Sequence, residues 1–272
     1  MHKSKNQIYI QTWHGDRGFK KVLFDDENND VEFRLLESIF CDLMISGSEY
    51  GTRQMRSAFK YTGDILQKGT PRNDILLNCN DLDKTIKKRL QIPEKTKVLL
   101  YAPTYRKREK YQRVEGLDLQ QVLDELETKT QEKWICLVRA HSAVKGLALR
   151  LHNKMMDVTW YEDMSELLAI TDMLITDYSS CAGDFALTKK AIILFQNDKD
   201  RYERQDRTFY FSMETSPFFI AKSQDELLQI IREKEKKDYA RNCEKILEFY
   251  GTTETGKASE YVAKYILEKM ED

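Results

Sequence analysis

The stretch MLITDYSSCAGDFAL, residues 173–187, decides the fold. Met173 to Thr176 is apolar or β-branched, Asp177-Tyr178-Ser179-Ser180 breaks the run, and a helix-like segment follows. A short apolar run bounded by a turn is the pattern of a buried strand. The stretch is therefore a strand running into a helix N-terminus, with two hydroxyls at the junction. The first N–H groups of a helix are unpaired and carry partial positive charge, so a phosphate suits such a junction. Ser179 or Ser180 also suits an N-cap, and capping and phosphate binding are compatible.

Outward from this stretch, the same pattern recurs. Lys97 to Tyr105 holds a four-residue apolar run ending at Pro103, Trp134 to Val138 is a second run, and Ala191 to Phe195 a third. Each reads as a buried parallel strand. Val158 to Tyr161 reads as a further short strand, with a helix over 164–171 opened by Asp163-Met164-Ser165-Glu166, a capping box. Residues 118–129 carry Leu119, Val122, Leu123 and Leu126 on one helical face. Upstream, residues 7–13 and 42–46 read as strands, 31–40, 49–61 and 80–90 as helices, and 69–74 as a loop joining two units. Downstream, 223–237, 239–250 and 254–270 are amphipathic helices. Strands alternating with helices predict parallel sheets of Rossmann type.

Composition narrows the class. At 272 residues the chain can hold one large or two ordinary domains, and 41% apolar with 33% charged residues is ordinary for a soluble protein. A net charge of −1 gives no reason to invoke nucleic acid or a membrane. The basic runs at 106–110 and 232–237 and the acidic run at 25–30 read as solvated surface. Five scattered cysteines without a CxxC pair predict reduced thiols in a cytosolic protein rather than a disulfide framework or zinc site. No stretch reaches the ~18 apolar residues of a membrane span, and the N-terminus lacks the apolar core of a secretory signal. No spaced carboxylate pair marks a metal site, no GxxxxGK[ST] loop marks a P-loop enzyme, and no GxGxxG marks a dinucleotide fold.

Of four histidines, His14 and His141 lie just past strand ends, where open α/β sheets bind ligands. A histidine with an ordinary pKa of ~6.5 can accept a proton from an alcohol or, as a cation, balance a phosphate. Glu166, besides capping, is a candidate contact for a ribose hydroxyl.

Several motifs then line up with one family. Gln11-Thr12-Trp13-His14-Gly15, Gly69-x-Pro71-Arg72-Asn73-Asp74, Tyr101-Ala102-Pro103-Thr104-Tyr105-Arg106 and Ser165-Glu166-Leu167-Leu168 occur in the order seen in CDP-glycerol glycerophosphotransferases. Leu174 to Ser180, Asp184-Phe185-Ala186 and Arg207-Thr208-Phe209-Tyr210-Phe211 follow in the same order. The resemblance runs from about residue 8 to the C-terminus. It implies an α/β fold of GT-B type: two Rossmann-like parallel-sheet domains facing a cleft, the N-terminal one truncated. Residues 1–74 would form a partial acceptor-side domain, and 75–272 a CDP-glycerol-binding domain with a C-terminal crossover helix. Residues 1–74 are about half of what a Rossmann-like domain needs, which predicts an open sheet edge.

The resemblance further implies transfer of glycerol phosphate from CDP-glycerol to a teichoic-acid-like or capsular polymer, or its lipid-linked primer, with release of CMP. No cofactor follows from it, and no metal. His14 and His141 would be catalytic, one as base and one as a donor-phosphate contact. Gly15, Arg72, Thr104, Arg139, Glu166, Asp177, Ser179, Ser180 and Arg207 would contact substrate. The lipid-linked acceptor implies peripheral association with the inner face of the cell membrane. A related transferase using CDP-ribitol or a nucleotide sugar, and a non-catalytic nucleotide-binding remnant, are the alternatives. The chain departs from the family at Asp16-Arg17-Gly18-Phe19, where Thr-Pro-Leu is usual, and Asp16 there would repel a phosphorylated acceptor. Ser142 also replaces the usual Pro after His141, while the Lys20-Lys21 pair is kept.

Overall fold

The computed structural model describes residues 3–4, 7–26, 39–78, 82–104, 106, 116–140 and 154–271. His141, Ser142, Tyr105 and Cys79, and residues 31–38 of the expected helix 31–40, lie outside them.

Two parallel sheets organise the chain. The smaller has the order β1-β2-β3, from Ile10–Gln11, Leu43–Ser46 and Asp64–Gln67. Helix α1 (Glu49–Ala58) links β2 to β3, with Ser48 Oγ accepting from Gly51 N at its start. Met44, Met55, Ala58, Phe59 and Tyr61 form its compact core. Sequence reading missed β3, which is short and only half-buried. The expected loop at 69–74 contains a 3₁₀ turn, Pro71–Asn73, that continues into α2 (Asp74–Leu77). Pro71 presets the backbone angle and donates no hydrogen bond, so it suits the first position of that turn.

After α3 (Leu82–Arg89), the larger sheet begins with β4 (Lys97–Ala102). It continues through α4 (Leu119–Thr130), β5 (Trp134–Val138), β6 (Met155–Asp157), α5 (Met164–Ile170), β7 (Met173–Thr176) and α6 (Cys181–Phe185). β8 (Ala191–Phe195), α7 (Lys199–Gln205), β9 (Ile220–Ala221), α8 (Gln224–Glu233), α9 (Lys236–Tyr250) and α10 (Ala258–Glu271) complete it. The strand order is β6-β5-β4-β7-β8-β9, with every pairing parallel. That is the doubly wound Rossmann order, whose ligand crevice opens at the carboxyl ends of the two central strands. Here those strands are β4 and β7. Val98, Leu100 and Ala102 enter the core on one face of β4, and Leu99 and Tyr101 the core on the other. Burial on both faces explains the continuous apolar runs in the sequence.

The α/β expectation holds, with three local corrections. The strand expected at 158–161 lies earlier, at β6, because the Asp157 carboxylate accepts from Thr159 N at 2.8 Å and turns the chain. The acidic run is not solvated where it is described: Asp26 is buried beside Arg207, and Asp25 accepts from Ser57 Oγ at 2.6 Å and Tyr210 OH at 2.8 Å. Arg106 is buried rather than a surface cation.

Candidate active site

The carboxyl edges of the two sheets meet. From the small sheet, β1 runs into Trp13 and His14. Trp13 has φ 28°, a left-handed value that costs a bulky residue on the order of 1–3 kcal/mol. It is held there by three contacts. Its N–H donates to Gln11 Oε1 at 3.0 Å, its carbonyl accepts from Arg72 Nη1 at 2.7 Å, and its ring meets Phe59 edge-on at 4.8 Å. The His14 ring leans on Trp13, centroids 4.3 Å apart, with one side open to solvent. Partial burial, then the charges of Arg72 and Lys20, hold its pKa below the usual histidine range, against an opposing pull from Asp184. That shift favours the neutral imidazole, the form that can accept a proton. Gly15 closes the next turn, its carbonyl accepting from Gly18 N at 3.0 Å.

That turn buries Asp16 and Arg17. Asp16 does not face an acceptor: it is 0% exposed, and its carboxylate accepts from Ser46 Oγ (2.9 Å), Gly47 N (3.1 Å) and Ser48 Oγ (2.8 Å). A side chain at Gly51 would strike Asp16 Oδ1 at 2.0 Å, so only glycine lets α1 approach. Arg17 crosses between the sheets. Its Nη2 meets Asp184 at 2.7 Å and Glu254 at 2.9 Å, and its Nη1 meets Asp16 at 3.3 Å. Arg72 closes on the other oxygen of Asp184 at 3.1 Å, and Glu254 also accepts from Thr70 N, Thr70 Oγ1 and Asn73 Nδ2. Burial opposes charge on Asp184, yet Arg72 and Arg17 hold its carboxyl below the usual carboxylate range. The result is a buried ionic joint between the small sheet, α6 and the segment before α10.

On the large sheet, Asp177 ends β7 at the switch point. Its carboxylate accepts from Thr104 N (2.8 Å), Tyr178 N (2.6 Å) and Arg106 Nη1 (2.8 Å), and Arg106 continues to Asp198 at 2.8 Å. Tyr178 OH donates to the same Asp198 at 2.8 Å. Asp177 thus ties together the loops after β4 and β8. Ser179 and Ser180 are half-buried; Ser179 Oγ accepts from Cys181 N at a long 3.4 Å, and Ser180 caps no N–H. The N-cap expectation holds weakly, and α6 is a single turn. A Cβ on Gly183 would lie 2.6 Å from Arg17 Cβ, so this loop and the 15–18 turn are packed together.

Three other expected contacts lie further out. Arg139 Nη2 donates to Glu162 O at 3.0 Å, and burial lowers its pKa. Glu166 takes Arg89 at 2.9 Å and the hydroxyl of Tyr161, while the Asp163 side chain accepts from Ser165 N and Glu166 N as a cap. Arg207 donates to Lys21 O at 3.3 Å and pairs with Asp26 at 3.4 Å. The structure thus brings His14, Gly15 and Arg72 against the 179–184 loop, with Thr104 and Asp177 beneath it. Sequence reading gave no site role to Arg17, Lys20, Arg106, Asp184 as a charged partner, Asp198 or Glu254. For Asp184 the signal was present in the Asp184-Phe185-Ala186 motif; for Glu254 no local pattern marks it.

The chain belongs to the CDP-glycerol:poly(glycerophosphate) glycerophosphotransferase family, whose model matches residues 1–268. It is 34% identical over 291 residues to the teichoic acid poly(glycerol phosphate) polymerase of Staphylococcus epidermidis, covering 98% of this chain but 39% of that protein. It is 30% identical over 286 residues to the teichoic acid glycerol-phosphate transferase of Staphylococcus aureus, covering 98% of this chain and 72% of that one. Among solved structures, a variant of the wall teichoic acid polymerase TagF soaked with CDPG superposes with a TM-score of 0.83 at 31% identity, covering 99% of this chain and 70% of that one.

Proposed function

We propose that this chain transfers glycerol phosphate from CDP-glycerol to a hydroxyl of a glycerophosphate polymer or its lipid-linked primer, releasing CMP. The observation that carries the reading is the placement of His14 at the meeting edge of two parallel sheets, across from the Ser179-Ser180 loop at a Rossmann switch point. In this reading the acceptor oxygen attacks the β-phosphorus of the donor. The acceptor proton passes to the His14 imidazole, and the bond from that phosphorus to the bridging oxygen breaks, leaving CMP. Positioned cations and N–H groups stabilise the charge that moves onto the leaving phosphate. His141 is assigned the donor-phosphate contact by family resemblance alone.

The roles divide between two units, residues 1–74 on the acceptor side and 75–272 on the donor side. Helix α10 begins back against the first: Asp74 accepts from Ala258 N and Ser259 N, both at 2.8 Å. Gly15 and Arg72 support the base, while Thr104, Ser179 and Ser180 form the phosphate side, with Asp177 bracing it from beneath. Arg139, Glu166 and Arg207 line the approaches for the nucleotide and the acceptor. Among the described residues no helix is long and apolar enough to cross a membrane. Peripheral action at the inner face of the cell membrane is proposed from the family's lipid-linked acceptors.

His14→Ala tests this directly. With CDP-glycerol and a glycerophosphate primer, CMP release should fall about 10²–10⁴-fold, while calorimetry with CDP-glycerol shows affinity nearly unchanged. Surviving turnover removes His14 as the base. Faster CMP release from CDP-ribitol than from CDP-glycerol would move the assignment to the ribitol donor.

A further inference from the structure

We infer that Lys20 is a diphosphate-binding residue of the cleft, its ammonium taking an oxygen of the donor's diphosphate and following the charge onto the leaving phosphate. This rests on the donor proposed above and adds a residue to it.

Backbone placement is the first support. Lys20 forms an antiparallel bridge with Phe209, flanked by Lys21 N to Thr208 O and Tyr210 N to Phe19 O, each 2.9 Å. The segment is extended and joined by this single bridge to residues 208–210 of the nucleotide half, although it leads out of the His14 turn. Neighbouring side chains on a strand point to opposite faces. Phe19 enters the core against Phe211 and Phe218, with centroids 6.0 and 5.3 Å apart, which turns Lys20 the other way. The charged or polar groups acting on its ammonium are Asp177, Arg207, Cys181 and Arg106, and Lys20 in turn acts on His14. Its ammonium is thus within electrostatic reach of both His14 and the Asp177–Cys181 loop.

The second support is a missing partner. Arg17, Arg72, Arg106 and Arg207 all pair with carboxylates. Among the described residues Lys20 makes no hydrogen bond and no ion pair, although it is half-buried and burial lowers its pKa. An enclosed, unpaired ammonium destabilises the fold unless something anionic reaches it. A lysine ammonium is a compact point charge with three rotatable donors, suited to a phosphate whose geometry changes during transfer.

The test uses the full chain with Lys20→Met and Lys20→Arg, calorimetry with CDP, cytidine and inorganic pyrophosphate, and thermal unfolding without ligand. Lys20→Met should weaken CDP and pyrophosphate binding by about tenfold or more, leave cytidine binding unchanged, and unfold at the same or a higher temperature. Lys20→Arg should recover part of the CDP affinity. CDP affinity within about twofold of wild type in Lys20→Met, or a lower unfolding temperature that Lys20→Arg does not restore, overturns the assignment. If the wild type ignores CDP-glycerol yet binds pyrophosphate through Lys20, the donor reading fails and the diphosphate assignment stands.

Discussion

Arg17 and Lys20 leave the same turn and meet opposite fates. Arg17 is 0% exposed and meets three carboxylates, those of Asp184, Glu254 and Asp16. Lys20 is half-buried and meets none among the described residues. Both cations are costly to bury. One has been compensated within the fold, which makes it a rigid part of the frame. The other awaits compensation from outside, which makes it a reporter of ligand. Within one cleft, the state of pairing separates residues that hold the architecture from residues that meet substrate. By that criterion Asp177, an expected substrate contact, belongs with Arg17, since its carboxylate is occupied by Thr104, Tyr178 and Arg106.

The largest expected effect comes from breaking the paired side. Asp184→Asn leaves Arg17 and Arg72 facing each other around a neutral amide, and should lower stability by about 3–5 kcal/mol in urea unfolding. Asp184 has a lowered pKa in the folded state, so its contribution is present above the ordinary carboxylate pKa of about 4 and lost as pH falls through the folded value. The variant should accordingly show a flatter loss of stability in acid.

Arg72→Ala is next. It removes the hydrogen bond to the Trp13 carbonyl and lets His14 drift, so turnover should fall by about 10²-fold with a smaller change in donor affinity. Arg72→Lys should not restore it, because a single ammonium cannot serve Asp184 and Trp13 together. The pH profile sharpens the contrast further. If His14 serves as the proposed neutral base, kcat/KM should rise with pH through a limb below about 6.5. Removing the positive charge in Lys20→Met should move that limb up, and removing the negative charge in Asp184→Asn should move it down. Equal shifts in one direction would show that neither charge reaches His14. The smallest effect belongs to the pair Ser179→Ala with Ser180→Ala. Stability should stay within about 0.5 kcal/mol, because the cap is long or absent, while CDP-glycerol affinity weakens measurably in calorimetry.

The legible part of the fold was the part governed by local pattern. β4, β5, β7 and β8 were readable because strands buried on both faces give unbroken apolar runs. The Asp163 cap was readable because its partners lie two and three residues on. Charge pairing was not. Arg106 sits in a run of surface-like cations, yet its partners Asp177 and Asp198 are 71 and 92 residues away. Asp16 read as a repulsive surface charge for the same reason, since Ser46 and Ser48 lie 30 and 32 residues on. Motif resemblance singled out the Trp13-His14-Gly15 turn, but the ionic joint beneath it follows only from tertiary placement.

That joint also bears on the order of synthesis. Arg17 and Glu254 are separated by 237 residues, so at about 5–20 residues per second the arginine is made roughly 10–50 s before the carboxylate that completes its site. Until then the small sheet lacks a clasp that also takes in Thr70 and Asn73. A nascent chain therefore carries the buried turn at Asp16-Arg17 without its distant carboxylate partner until the segment before α10 emerges.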